Sequence, residues 1–253
     1  MKIALVTGAA RGIGLGIAVK LHQSGYFVIG VDKLSNNSAE IDQFLSVDLS
    51  NLSKIEKLVQ DIDRTHGQLD VLVNNAAVTF VKDIVQTSVE EFEQVLQVNL
   101  IAPFALSKLC YPLLKKSQGS IINISSVHAF KNVPQTPAYA ASKGGLLSMT
   151  INMAHEYSPE VRVNAVIPGA IETTMMRSHM AKSLGFNGPE EAGESLERAV
   201  ARIGRLGSVI GRVGQPKEIA EAVLFLADRE TSSYVTGTAL KIDGGMLIKL
   251  ETE

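Results

Sequence analysis

The 253-residue chain has one cysteine, no long apolar run and almost no net charge, and each shortage excludes something. Twenty-four Lys and Arg against 26 Asp and Glu leave a formal charge of −2. Neutralising a row of phosphates needs clustered cations, so nucleic acid is not an expected partner. The longest uninterrupted apolar run, 222–227, falls far short of the ~18 residues of a membrane-spanning helix. Before Thr7 and Gly8 only residues 3–6 are apolar, too few for the ~7–15-residue core of a secretory signal. A cytoplasmic protein without a membrane partner is expected. Cys110 has no second cysteine to pair with, and Leu106, Leu109 and Leu113 around it suggest a buried structural thiol rather than a nucleophile. The histidines at 22, 66, 128, 155 and 179 show no ligand spacing with Cys or carboxylates, so no metal is expected. There is no repeat, low-complexity tract or Pro/Ser-rich linker, and residues 1–253 read as one domain.

What is present is an alternation of short β-type runs with longer stretches of helical period. That pattern predicts an α/β fold of the Rossmann type, a doubly wound parallel sheet with helices on both faces. Seven strands are expected at 3–6, 27–31, 44–47, 71–74, 120–125, 161–166 and 239–242. Several are continuously apolar, as strands covered on both faces must be. Leu52, Ile55, Val59 and Ile62 repeat at helical spacing, and so do Ile219, Val223, Leu226 and Ala227. A longer helix is predicted over 89–114, opened by Ser88 and Glu91 as a capping box, with Pro103 and Pro112 imposing a kink or break. Residues 170–214 mix Met, Gly and Arg with a helical patch at 189–203, too long for a plain connection, and are expected to form a substrate lid.

Two constellations carry chemistry. After the first strand comes Thr7-Gly8-Ala9-Ala10-Arg11-Gly12-Ile13-Gly14, a glycine-rich turn opening into a helix. Such a turn lets the backbone approach a pyrophosphate, which meets the unpaired N–H groups of the helix start. Asp32, 24 positions after Gly8 at the end of the second strand, would accept from ribose hydroxyls and repel a 2′-phosphate, favouring NAD over NADP. Arg11 opposes this, because its guanidinium could pair with that phosphate. Asp32 carries more weight, since a second anion beside a carboxylate is costly. The second constellation is Ser126, Tyr139 and Lys143. Tyr139 and Lys143 lie four apart on one helical face, so an ammonium could lower the phenol from its usual value near 10 toward neutrality. Tyr139 would then serve as an acid and base.

With these motifs in order, the chain resembles the short-chain dehydrogenase/reductase family in its branch of roughly 250 residues, over essentially its whole length. The likeness extends to Asp48, the stretch Asn74-Asn75-Ala76-Ala77, Asn99 and Pro168-Gly169. The resemblance implies that Gly8, Arg11, Gly12, Ile13 and Gly14 bind the cofactor. Asp48 would bond the adenine amino group and Leu49 would lie beside the ring. The backbone of Asn75, Ala76 and Ala77 would run under the cofactor, although the family usually has Gly where Ala77 stands. Thr173 would contact the nicotinamide carboxamide or the phosphates, with a helix N-cap as its alternative role. Ser126 would hold the substrate oxygen and Tyr139 would exchange the proton. Lys143 would lower the Tyr139 pKa and bond the ribose, and Asn99 would hold a water linking Lys143 to solvent.

His128, Gln135, Glu172, Met175, Met176, Arg177 and His179 fall near the expected pocket, and none has an assigned role. The leading expectation is an NAD-dependent oxidoreductase acting on a secondary alcohol or ketone, such as a polyol, sugar or hydroxylated ring. An NADPH-dependent 3-oxoacyl-carrier-protein reductase is the alternative; Asp32 argues against it, and Arg202, Arg205 and Arg212 leave a basic docking patch open. A nucleotide-sensing protein without catalysis would be expected to have lost Tyr139 or Lys143. The resemblance also implies a homotetramer, which the apolar stretch 245–250 fits.

Overall fold

A computed structural model of the chain describes residues 1–36 and 38–249. The elements run β1 (Lys2–Thr7), α1 (Gly12–Gln23), β2 (Tyr26–Asp32), β3 (Gln43–Ser46), α2 (Leu52–His66), β4 (Val71–Asn74), α3 (Val89–Leu96), α4 (Ala102–Ser117) and β5 (Ser120–Ile124). They continue with α5 (Pro137–Tyr157), β6 (Arg162–Pro168), α6 (Thr174–Ser183), α7 (Pro189–Arg202), α8 (Pro216–Ala227), the single turn α9 (Arg229–Ser232) and β7 (Ala239–Ile242). Among the described residues the strands form one seven-stranded parallel sheet ordered β3-β2-β1-β4-β5-β6-β7. This is the expected doubly wound Rossmann-type sheet. β4 and β7 have the expected bounds; β1 and β2 each extend one residue further at both ends, β3 lies one residue earlier, β5 stops before Ser125, and β6 runs from Arg162 to Pro168.

Side-chain alternation along each strand divides the core in two. Ile3, Leu5, Ile29, Val31, Leu72, Ile121 and Val163 face α2, α4 and α5. Ala4, Val6, Val28, Val73, Ile122 and Val166 face α1 and α8. In α2 the buried stripe is Ile55, Leu58, Val59 and Ile62; Leu52, expected in it, is the first helical residue and stays exposed. All four predicted positions of α8 are buried.

The long helix predicted over 89–114 divides into α3 and α4. Its start is the capping box, with Ser88 Oγ accepting from Glu91 N at 3.2 Å and Glu91 Oε2 accepting from Ser88 N at 3.1 Å. Between the two helices, Gln97–Ile101 form a π-turn in which Ala102 N–H donates to the Gln97 carbonyl. Pro103 has no N–H for the Asn99 carbonyl, so the regular pattern fails there. Pro112 causes no break, because the carbonyl it leaves without a helical donor belongs to exposed Lys108.

Residues 170–214 leave and rejoin the sheet edge at one point. Gly214 N donates to the Ala170 carbonyl and Glu172 N to the Gly214 carbonyl, both at 2.8 Å. Between them α6 and α7 pack through Met180, Ala181, Ala192, Leu196 and Val200. After β7 the chain forms turns through Ile248, which is exposed; Leu250, the last residue of the predicted apolar stretch, lies outside the described residues. Among the described residues no helix is long and apolar enough to cross a membrane.

Candidate active site

The C-terminal ends of β1, β4, β5 and β6 lie side by side, which places the glycine turn, Asn75, Ser126 and Gly169 along one edge of the sheet. In doubly wound sheets ligands bind at this edge, where strand order reverses. Here the reversal falls between β1 and β4.

The glycine turn is braced from behind by Thr7. Its hydroxyl donates to the Val73 carbonyl at 3.2 Å and accepts from the N–H groups of Asn75 and Ala76, each at 3.0 Å. Asn75 Nδ2 in turn donates to the Thr7 and Gly8 carbonyls at 2.8 and 3.2 Å. Sequence reasoning missed Thr7 as a site residue; a hydroxyl at the last position of β1 was the available signal. Gly8 has φ +67°, and a Cβ there would lie 2.7 Å from Asn75 Nδ2. A Cβ on Gly14 would collide with the Gly8 carbonyl, so the turn closes this tightly only with glycine.

Helix α1 then begins without a side-chain cap and without an acidic residue in its first turn. A helix start carrying neither internal anion fits a pyrophosphate, supplied with N–H donors and the positive end of the dipole. Gly12 and Ile13 are the first two residues of this helix, and Thr173 packs against Gly12. The Thr173 hydroxyl accepts from Met176 N at 3.1 Å, so it caps α6 while its methyl faces the turn.

Asp32 ends β2, half-buried. Its Oδ2 accepts from Ala10 N at 3.1 Å and its Oδ1 from Leu34 N at 3.0 Å, while Asn36 Nδ2 donates to the Ala10 carbonyl at 2.7 Å. The carboxylate is therefore tied to the glycine turn at the position expected to meet the ribose. Arg11 is exposed and makes no ion pair among the described residues. Asp48 is exposed, and bonds from the Ser50 N–H and hydroxyl at 3.0 and 2.8 Å hold its carboxyl below the usual range. Leu49 is only 6% exposed and packs in the core beneath α2, so its side chain serves the fold.

Around the β5 end the structure brings Ser126, Tyr139 and Lys143 together. Ser126 follows the strand and caps a short turn, accepting from His128 N at 3.2 Å. Tyr139 and Lys143 lie in the first two turns of α5, with Lys143 Nζ 5.5 Å from the Tyr139 ring centre. Lys143 is buried and donates to the Ile124 carbonyl at 2.7 Å. Burial pushes its pKa down to about 8, because desolvation disfavours the ammonium. The same burial raises Tyr139, and hydrogen bonding from the Ser126 hydroxyl opposes the rise. Lys143 thus presents its ammonium over the Tyr139 ring.

Asn99 sits in the π-turn with its side chain fully engaged. Val78 N donates to its Oδ1 at 2.8 Å, and its Nδ2 donates to the Val78 carbonyl at 3.0 Å and Ser142 Oγ at 3.1 Å. The amide fastens the loop after β4 to α5, and Pro103 removes the regular helical donor of the Asn99 main-chain carbonyl. Glu172 and Arg177 form a pair at 2.9 Å, and Arg177 also meets Glu197 on α7. They line a cleft of about 690 Å³ between α1, α6 and α8 that includes Gly12 and Thr173 but none of Ser126, Tyr139 or Lys143. Glu172 thus pairs with Arg177 in that cleft, apart from Ser126, Tyr139 and Lys143. Among the described residues no cluster of His, Cys, Asp or Glu is grouped to hold a metal.

A Rossmann-type sheet with a glycine turn at its switch point and a Tyr–Lys pair beside the end of β5 defines a class, the oxidoreductases acting on CH–OH groups with NAD(P)(H). A family model described as enoyl-(acyl carrier protein) reductase matches residues 8–247, and the chain belongs to the short-chain dehydrogenase/reductase family. A 3-oxoacyl-(acyl-carrier-protein) reductase of Thermotoga maritima is 36% identical, over 98% of each chain. An L-fucose dehydrogenase of Bos taurus is 35% identical, over 96% of this chain and 88% of its own. The ligand-free structure of Thermoplasma acidophilum aldohexose dehydrogenase superposes with a TM-score of 0.93 at 32% identity, covering 100% of this chain and 96% of the other.

Proposed function

We propose that the chain moves a hydride between NAD(H) and a secondary alcohol or its ketone, with a sugar, polyol or hydroxylated ring as substrate. The observation that carries this reading is the convergence of Ser126, Tyr139 and Lys143 at the end of β5. The Ser126 hydroxyl donates to the substrate oxygen. Tyr139 removes the hydroxyl proton in oxidation and returns it in reduction. Lys143, the cation over the Tyr139 ring, balances the charge of the phenolate and bonds the nicotinamide ribose. The main-chain carbonyl of Asn99 holds a water through which the proton reaches solvent. Bound at the glycine turn, Asp32, Asp48, the Asn75–Ala76 backbone and Thr173, the nicotinamide cofactor would supply the hydride acceptor for the carbinol carbon.

The glycine turn, Asp32, Asp48, the Asn75–Ala76 backbone and Thr173 hold the cofactor. NAD is favoured over NADP because Asp32 is fixed by two backbone N–H groups at the ribose position, where a 2′-phosphate would meet its charge. The aldohexose and fucose dehydrogenases among its relatives support a sugar-like substrate. A second reading, the NADPH-dependent 3-oxoacyl-carrier-protein reductase, is favoured by exposed Arg11 and by relatives of that name. A tetramer is supported by the exposed Phe104 and Ile151 on α4 and α5.

The test follows nicotinamide absorbance with secondary alcohols, polyols, sugars and acetoacetyl thioesters, each with NAD(H) and NADP(H). Turnover of an alcohol or sugar with strong NAD preference is expected, and Asp32→Ala should cut that preference by about tenfold or more. Thioester reduction with NADPH would install the second reading.

A further inference from the structure

The space over Tyr139 contains an imidazole that the reaction above does not use. His128 stands two residues after Ser126, with its Nδ1 3.1 Å from Ser126 Oγ. Its ring meets the Tyr139 ring edge-on, with centres 5.5 Å apart and planes at 83°. The imidazole is thus held between the two groups that touch the reacting oxygen. From the lid, His179 on α6 adds a further titratable group, with Lys182 near it.

A serine hydroxyl has one proton to give and two lone pairs to accept with. One lone pair of Ser126 is taken by the main-chain N–H of His128 at 3.2 Å. The ring contact then has two versions. If Nδ1 is bare, Ser126 spends its only proton on the imidazole and has none for the substrate. If Nδ1 carries the proton, the ring donates to the second lone pair, and the serine proton points at the oxygen that Tyr139 serves. Donation to the substrate oxygen, the role proposed above for Ser126, requires that its one proton not be spent on the imidazole. That selects the second version.

We propose that His128 is a positioning residue: its Nδ1–H donates to Ser126 Oγ and so directs the serine hydroxyl toward the substrate oxygen. Burial and the nearby His179 lower the His128 pKa, which keeps the ring neutral with a single N–H. Its placement at Nδ1 is therefore a choice of tautomer, and the serine contact makes that choice.

The inference rests on the assignment of Ser126 and Tyr139 above, so the test separates the two. On a substrate the wild type turns over, Tyr139→Phe, His128→Leu and His128→Asn are compared for kcat, for KM and for NADH binding by fluorescence. Leu removes the donor; Asn places an amide N–H close to the Nδ1 position. His128→Leu should lower kcat by about tenfold to a hundredfold with NADH affinity unchanged, and His128→Asn should restore kcat to within about threefold of wild type. Histidine-selective ¹⁵N labelling of the wild type, with His128→Asn to assign the signal, should show the Nδ1–H tautomer. Wild-type kcat in His128→Leu, failure of His128→Asn to recover while NADH still binds, or an Nε2–H tautomer would each overturn the role of His128. Wild-type turnover in Tyr139→Phe would instead overturn the assignment beneath it. Should His128→Leu fail to fold, the tautomer measurement still decides.

Discussion

At Lys143 and Tyr139, burial acts against the charged form of both side chains, lowering the lysine and raising the tyrosine. Keeping an ammonium buried opposite a carbonyl is a cost to the fold, maintained here by a position that touches the reacting groups. Its size follows from the drop from 10.5 to about 8, or about 3 kcal/mol. The folded value lies below the unfolded one, so between about pH 8 and 10.5 the unfolded chain binds more protons and stability rises with pH. Lys143→Met should abolish turnover, leave the melting temperature at pH 7 no lower than wild type, and remove that alkaline rise in stability. Thermal melts of both proteins from pH 7 to 10.5 check this. Ser126, Tyr139 and Lys143 were legible in the sequence because their helical and strand-end spacing is local. The Nδ1 contact of His128, the Thr7 brace and the engagement of the Asn99 amide were not, since each depends on what the fold places opposite.

At the scale of elements, the break between α3 and α4 does more than end a helix. The π-turn carries Asn99 to the loop after β4, where its amide pairs with both backbone groups of Val78 and reaches Ser142 on α5. Asn99→Ala would leave the Val78 N–H and carbonyl unpaired in a half-buried place, a loss of about 2–4 kcal/mol. Urea unfolding should report that loss, and an NADH titration should show weaker binding as the loop beneath the cofactor loosens. The sequence placed a kink in this helix, but could not choose between Pro103 and Pro112. The choice is made by exposure: Lys108 can offer its orphaned carbonyl to water, while the Asn99 region is packed inside. Helix α6 went unrecognised because its Thr-Met-Met-Arg-Ser-His-Met-Ala-Lys-Ser run has only Met180 and Ala181 buried, against α7. Its periodicity exists only in the presence of that partner. The strands, buried on both faces, were readable almost to the residue.

At the scale of the whole molecule, one sheet edge gathers the groups that the proposed reaction would use. The outer faces of α4 and α5 leave Phe104 49% exposed and Ile151 56% exposed, on the same side of the sheet. Large apolar side chains in that setting suit a surface covered by another copy. If the proposed tetramer forms through these helices, the wild type should sediment as four chains and Phe104→Glu with Ile151→Glu should lower that mass, with the circular dichroism of the fold retained. An unchanged mass would place the contact elsewhere. The sequence pointed to assembly only through family likeness, because a surface facing a partner copy is written in the same residues as a core-facing one.

The most direct test of the account is turnover by Tyr139→Phe, measured with NAD(H) on the best substrate of the panel and set beside its NADH affinity. The account predicts kcat at least about a hundredfold below wild type with NADH binding intact. Turnover at the wild-type rate would contradict it, and the proton would have to pass through another group.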